Sequence, residues 1–207
     1  MEINDPIHDF IGLTNVEAKI INSETYQRLR RIKQLSGGHF VYPTAEHTRF
    51  GHCIGVMFLA GRTGKKLLDK LKLGDDVLQE VRLAGLLHDL GHGPFSHVFE
   101  ESLLEKQGKN HEDVTEWLVL ESEVGEIMET EGVSKKRIAD LVRGRRTRKY
   151  DGVVSGIVAG QVDADKMDYL IRDSFYCGVN YGLVDIHRLI DSLDVSSDNQ
   201  LHFDIAA

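Results

Sequence analysis

The chain has 207 residues, 41% hydrophobic and 28% charged, which is enough apolar material for one buried core and too much for a disordered chain. Its formal net charge of −8 argues against a surface that serves as a whole for nucleic-acid binding. No apolar run approaches the ~20 residues of a membrane span, and the first residues carry no signal-peptide pattern, so a cytoplasmic location with no membrane partner is expected. Cys53 and Cys177, with no CxxC pair, read as buried thiols in a reducing compartment.

In chain order, NDPIHDFIGL (4–13) reads as a small extended piece. Residues 15–35 read as helix broken near Asn22 and Ser23, with Ser23 capping the second part. GGHFVYPTAEHT (37–48) is a loop. From 49 to 73, Phe50, Ile54, Met57 and Phe58, then Leu67, Leu68 and Leu71, recur at helical spacing. Residues 75–92 form another helix, apolar at Val77, Leu78, Val81, Leu86 and Leu87. It is expected to stop at 91–94, with Pro94 in the first turn of the next helix. Residues 109–120, 134–142 and 155–176 read as further helices, and 193–207 as two short strands around SSDN. The fold class is all-α, with a minor β element at the C-terminal end, and 1–207 reads as one domain.

Three segments offer metal-capable groups: His52, the neighbours His88 and Asp89, and QVDADKMDY with Asp163 and Asp165. Imidazole with carboxylate suits Mn, Fe, Co, Ni or Zn, and carboxylate alone suits Mg. On a helix His88 and Asp89 would point about 100° apart, still within reach of one ion at the helix side, and His92 would share the His88 face. Each group alone has a plainer reading, such as a core histidine or an N-cap aspartate.

The order of these groups, together with HDLGHGPFSH (88–97), QRLRRIKQLSGG, TRFGHCIGV and DADKMDYLIRD, resembles the HD-domain phosphohydrolases. The branch it resembles is the deoxynucleoside triphosphate triphosphohydrolases, SAM-and-HD-domain-protein-like. The resemblance implies an HD-domain helical bundle. It implies a divalent metal held by His52, His88, Asp89 and Asp165; Asp165 is preferred to Asp163 because the family's last ligand precedes a lysine. It also implies hydrolysis of a deoxynucleoside triphosphate to deoxynucleoside and inorganic triphosphate. A nucleotidase or nuclease acting on monophosphates or single-stranded ends is the alternative, and a non-catalytic nucleotide or RNA sensor is the second.

By the same resemblance His92, His97 and Glu100 act on or stabilise the reacting phosphate, and His111 is a further catalytic histidine linked to that acid–base group. Glu100 lies three residues after His97, on the same helical face, where a carboxylate favours a protonated imidazole. Arg49, one helical turn before His52, and Lys166, beside Asp165, offer cations to phosphates. Tyr169 and Asp173 imply sugar contacts, and Gln34 and Leu35 lie at family positions that disfavour a 2′-hydroxyl. The plain reading of Tyr169 is core, and that of Asp173 a cap or a partner of Arg172. The run 134–149 holds eight basic residues and one acidic one. It reads as a solvated helix and loop, or as a phosphate or nucleic-acid contact.

The resemblance further implies a nucleotide substrate and a homo-oligomer. Members of the family usually continue well past the final strands, so the chain is expected to be a short version or a fragment. Relatives that need a guanine-nucleotide activator use an aspartate, a glutamine and an arginine. Gln27 and Arg30 match, but Asn22 stands at the aspartate position and Met1 leaves little room for an upstream basic contact. An amide pairs guanine's two donors poorly, so weak or absent activation is expected.

Overall fold

The computed structural model describes residues 1–182 and 184–204, and of His97 the backbone alone. A hairpin opens the chain, with β1 (Glu2–Asp5) antiparallel to β2 (Asp9–Gly12) and Asp5 opposite Asp9. Helices α1 (Asn15–Asn22) and α2 (Glu24–Gln27) follow. Thr14 and Glu17 form a capping box at the start of α1, and the Ser23 hydroxyl accepts from Tyr26 N at the start of α2. Both caps answer the orphan N–H groups of a first turn. A 3-10 turn, Arg28–Arg31, and the loop after it lead to the long helix α3 (Arg49–Leu71).

Helix α3 is the axis of the molecule. Helix α4 (Asp75–Leu87) packs along it, and α9 (Asp151–Ala159) and α10 (Ala164–Cys177) pack on its other sides. Fully buried Ile54, Val56, Met57, Leu59 and Ala60 of α3 meet Val81, Leu83, Ala84, Leu86 and Leu87 of α4 in one core. The valine, leucine, isoleucine and methionine side chains among them stabilise by ~1.5–3 kcal/mol each when fully buried. Gly55 lets α10 approach: a Cβ there would lie 1.9 Å from Asp168 Oδ1. The short α5 (His97–Phe99) runs into a π-helical turn, Glu100–Leu104. Beyond it α6 (His111–Glu121), α7 (Glu123–Thr130) and α8 (Lys135–Val142) flank α4 and the α1–α2 corner. Helix α11 (Ile186–Ser192) precedes a second hairpin of β3 (Leu193–Val195) and β4 (Leu201–Phe203).

The helical class holds, with five corrections. The β content lies at both ends of the chain, so the extended N-terminal piece is a true hairpin. Helix α4 ends at Leu87, before His88, rather than at 91–94. The N–H of Gly91, which would bond Leu87 O in a continuing helix, is taken by the Thr115 hydroxyl at 2.8 Å, while Arg28 caps the carbonyls of Leu90 and His92. Pro94 therefore lies in a turn before α5, not within its first turn. The segment 155–176 is two helices, because Lys166 Nζ binds Gly160 O and Asp163 caps a new helix. Cys53 is buried, but Cys177 only half so. Among the described residues no helix is long and apolar enough to cross a membrane.

Candidate active site

The first turn of α3, the turn after α4 and the first turn of α10 meet at one point. Asp165 Oδ1 lies 3.0 Å from His52 Nε2 and 3.7 Å from His88 Nε2. Asp89 completes the group, with Oδ2 3.8 Å from His52 Nε2 and Oδ1 3.5 Å from His88 Nε2. His88 and Asp89 converge from a turn rather than from one helix face, because α4 has already ended. Asp163, the alternative ligand, is spent elsewhere: its oxygens accept from Lys166 N and Lys166 Nζ, both at 2.7 Å.

The histidines suit a cation. His88 Nδ1 lies 2.8 Å from Gly85 O, so it carries the proton and leaves Nε2 as a lone pair. His52 Nδ1 lies 2.8 Å from Asp168 Oδ2, which fixes the same tautomer. Both Nε2 atoms are buried and make no hydrogen bond. Burial lowers the affinity of His52 for a proton, but the carboxylates of Asp165 and Asp168 beside it override this and raise its pKa to about 10, so a metal at Nε2 would displace a proton from the ring. Burial likewise opposes the charge of Asp89, yet His88, His92 and Arg49 hold its carboxyl well below the usual range. Once His52 gives up that proton, two imidazole lone pairs and two ionised carboxylates form a donor set that fits a first-row divalent metal.

Sequence reasoning missed the layer behind this point. Asp168 is fully buried and binds His52 Nδ1, His8 Nε2 at 2.6 Å and Arg172 Nε at 2.7 Å. Arg172 in turn donates to both oxygens of Asp5 in β1, at 2.9 and 3.2 Å. The N-terminal hairpin is thereby tied to the orientation of His52. The one sequence signal was the i,i+4 spacing of Asp168 and Arg172 on a helix that also carries Asp165.

On the other side lie the groups expected to act on phosphate. His92 Nε2 is 3.3 Å from Asp89 Oδ1, and its ring stacks on that of His111 with centroids 4.1 Å apart. Burial pushes the His92 pKa down to about 4, against the pull of Asp89, so His92 is neutral at neutral pH. Glu100 Oε2 lies 2.6 Å from His111 Nδ1. Burial raises the Glu100 carboxyl, but the bond to His111 prevails and lowers it. The described partner of Glu100 is thus His111; the side chain of His97, its expected partner, lies outside the described residues. The i+3 expectation assumed an α-helix, whereas the backbone turns π-helical at Glu100. Gly91 permits this geometry, because a Cβ there would lie 2.1 Å from His111 O.

The expected substrate groups are spread around the same opening. Arg49 binds Asp89 through Nη1 and the Ser96 hydroxyl through Nε at 3.1 Å. The Lys166 ammonium pairs with Asp163 and Gly160 O rather than standing as a second cation beside Asp165. Tyr169, Gln34 and Leu35 are half-buried. Asp173 is buried and pairs with His47 at 2.8 Å, not with Arg172.

Four arginines of the basic run are bound internally. Arg143 meets Glu112 and Asp113, Arg145 meets Glu116 and Asp140, and Arg148 meets Glu80. Arg137 is clamped by Glu80 and Asp151. These pairings leave the nucleic-acid reading of the run without support.

Residues 49–173, which span all four candidate ligands, match the HD domain family. The chain belongs to that family. This HD domain is 39% identical over 191 residues to an uncharacterised protein of Methanocaldococcus jannaschii, covering 92% of the chain and 37% of that protein. It is 37% identical over 213 residues to the deoxynucleoside triphosphate triphosphohydrolase SAMHD1 homolog of Dictyostelium discoideum, covering 95% and 40%. A solved phosphohydrolase from Bacteroides thetaiotaomicron superposes with a TM-score of 0.84 at 34% identity, covering 99% of this chain and 49% of that one. The chain thus spans about two fifths of the length of these curated relatives.

Proposed function

We propose that this HD domain is a metal-dependent phosphohydrolase that cleaves deoxynucleoside triphosphates to deoxynucleoside and inorganic triphosphate. The observation that carries the coarser reading is the pair of buried, unbonded Nε2 atoms of His52 and His88, facing Asp89 and Asp165. The likeness to the Dictyostelium triphosphohydrolase supports the substrate.

His52, His88, Asp89 and Asp165 hold the cation. A divalent metal supplies Lewis acidity toward a phosphoryl group and lowers the pKa of water. Asp168 and Gly85 O keep the two imidazoles turned with Nε2 inward. Arg49 brings a fixed positive charge to the edge of the cluster, where phosphate oxygens compete with Asp89 for it. Glu100 fixes which nitrogen of His111 faces inward by binding Nδ1. His92 is uncharged and packs on His111. His97 takes the role of proton donor to the leaving 5′-oxygen on the sequence pattern alone. Tyr169, Asp173, Gln34 and Leu35 contact the sugar.

Gln27 binds Ile21 O and Arg30 within its own turn, and Arg30 lies over the Phe50 ring. Asn22, in place of the family's aspartate, is what supports activity that needs no guanine nucleotide. A homo-oligomer belongs to the same reading, and sedimentation of the purified chain checks it.

The decisive experiment is hydrolysis of each deoxynucleoside triphosphate in ¹⁸O-labelled water under several divalent metals. Attack at the α-phosphorus places the label in the triphosphate and none in the nucleoside. Release of monophosphate and pyrophosphate overturns the reading in favour of a pyrophosphatase, and turnover of monophosphates alone in favour of a nucleotidase.

A further inference from the structure

His47 was no part of the sequence-derived site, yet it sits where the sugar end of that site is built. Its side chain is 2% exposed, its Nε2 lies 2.8 Å from Asp173 Oδ1, and its ring stacks on Tyr176 at 4.6 Å between centroids. Backbone pairing of Lys33 with Thr48 sets Gln34 opposite His47, and Gln34 N donates to His47 O at 3.0 Å. Directly opposed residues of an antiparallel pair present their side chains to the same face.

Two polar atoms on this face lack a partner. His47 Nδ1 and Gln34 Oε1 are both buried and unbonded. A carboxylate only accepts hydrogen bonds, so His47 Nε2 donates to Asp173 and Nδ1 of the neutral ring is an acceptor. The amide oxygen of Gln34 is also an acceptor. Buried acceptors without donors are costly, so the face is short of O–H or N–H groups. Asp173, held by one oxygen, adds further acceptor capacity beside them. A ligand hydroxyl is the group that meets this need, since it donates one proton and can still accept.

We propose that His47 is a positioning residue: it holds the Asp173 carboxylate in place to receive the 3′-hydroxyl of a deoxyribose, and so sets discrimination for that hydroxyl. The proposal rests on the nucleotide reading above. It separates His47 from a purely structural role, because it ties the residue to one atom of the substrate.

The test compares the parent chain with His47→Gln and His47→Asn on deoxyadenosine triphosphate and its 2′,3′-dideoxy counterpart, with metal content and melting temperature followed alongside. The glutamine amide nitrogen falls near the position of Nε2, and the shorter asparagine does not reach it. The parent is expected to favour the 3′-hydroxyl substrate at least tenfold in kcat/KM. His47→Gln is expected to keep most of that preference. His47→Asn is expected to lose it, through a raised KM for the deoxy substrate and little change for the dideoxy one. Equal losses on both substrates, or a parent-like preference in His47→Asn, overturn the proposal.

If the substitutions unfold the chain, the parent is read directly by ¹⁵N shifts of its histidine ring nitrogens. Deoxyadenosine monophosphate then moves the Nδ1 signal of one Nε2–H tautomer and the dideoxy nucleotide leaves it in place; equal shifts overturn the proposal. A parent that hydrolyses the deoxy substrate without preferring it sinks the His47 proposal alone. A parent that hydrolyses neither sinks the nucleotide reading with it.

Discussion

The basic run at 134–149 and the carboxylates behind His52 are both dense in charge, and water treats them differently. Arg145 and Arg148 of the run are nearly half exposed while they bind Glu116 and Glu80. Asp168 and Arg172 are shut away from solvent and bind each other, His52 and Asp5. Exposed pairs are screened and pay side-chain entropy, so each contributes only ~0–1 kcal/mol. Buried pairs are not screened; they bring a large desolvation cost and leave few alternative geometries. The run therefore decorates a surface, whereas the buried group aims a side chain. Within the run itself Arg137 is the exception, buried with Asp151 of α9 and bound to Glu80 of α4.

Asp168→Asn is the sharpest way to break the comparison. It removes the anionic partner of His52 Nδ1 while leaving all four candidate ligands unsubstituted. Loss of such a supporting partner weakens metal affinity by roughly 10–100-fold, measured by competition with a chelator of known affinity. Affinity within threefold of the parent would place Asp168 with the decorative charges.

Asp151→Asn is expected to act on stability rather than on turnover. Removing one partner of a buried pair costs ~3–5 kcal/mol, read from denaturant midpoints. The Asp151 carboxyl resists burial through bonds from Arg137, Arg148 N and Thr147 N, and its pKa falls from 3.8 to about 2. A folded-state pKa below the unfolded one favours folding above the unfolded value. That contribution is complete above about pH 4–5 and drains away as the pH falls toward 2. The parent should thus lose stability faster than Asp151→Asn over that window; parallel acid curves would contradict the assignment.

Arg145→Ala should have the smallest effect. A shift under ~1 kcal/mol in stability and an unchanged initial rate are expected, from melting curves and the triphosphate assay. A large loss of rate would mean that the run reaches the substrate after all.

The contrast also explains what could be read in advance. That His52, His88, Asp89 and Asp165 come together was legible because the motif fixes their residue types and their order. The helices were legible where apolar periodicity was long, as in α3. The ends of α4 and α9 were not, because they depend on Thr115, Arg28 and Lys166, which arrive from elsewhere in the chain or compete with the helix locally. The Asp163 cap was written in the sequence, and it separates α9 from α10. Asp5, His8 and His47 were invisible for a different reason. Each meets its partner across more than a hundred residues, and no local spacing encodes such a meeting.

The candidate ligands come from α3, the turn after α4, and α10, and this scatter has a thermodynamic consequence. An unfolded chain holds His52 and Asp165 too far apart to share an ion, so a cation that binds here recognises the closed bundle and little else. It acts as a removable clasp on a long loop. Its contribution grows by about 1.4 kcal/mol for every tenfold rise in free metal above the dissociation constant. The endurance of the folded chain then follows the supply of metal around it, whether or not substrate is present.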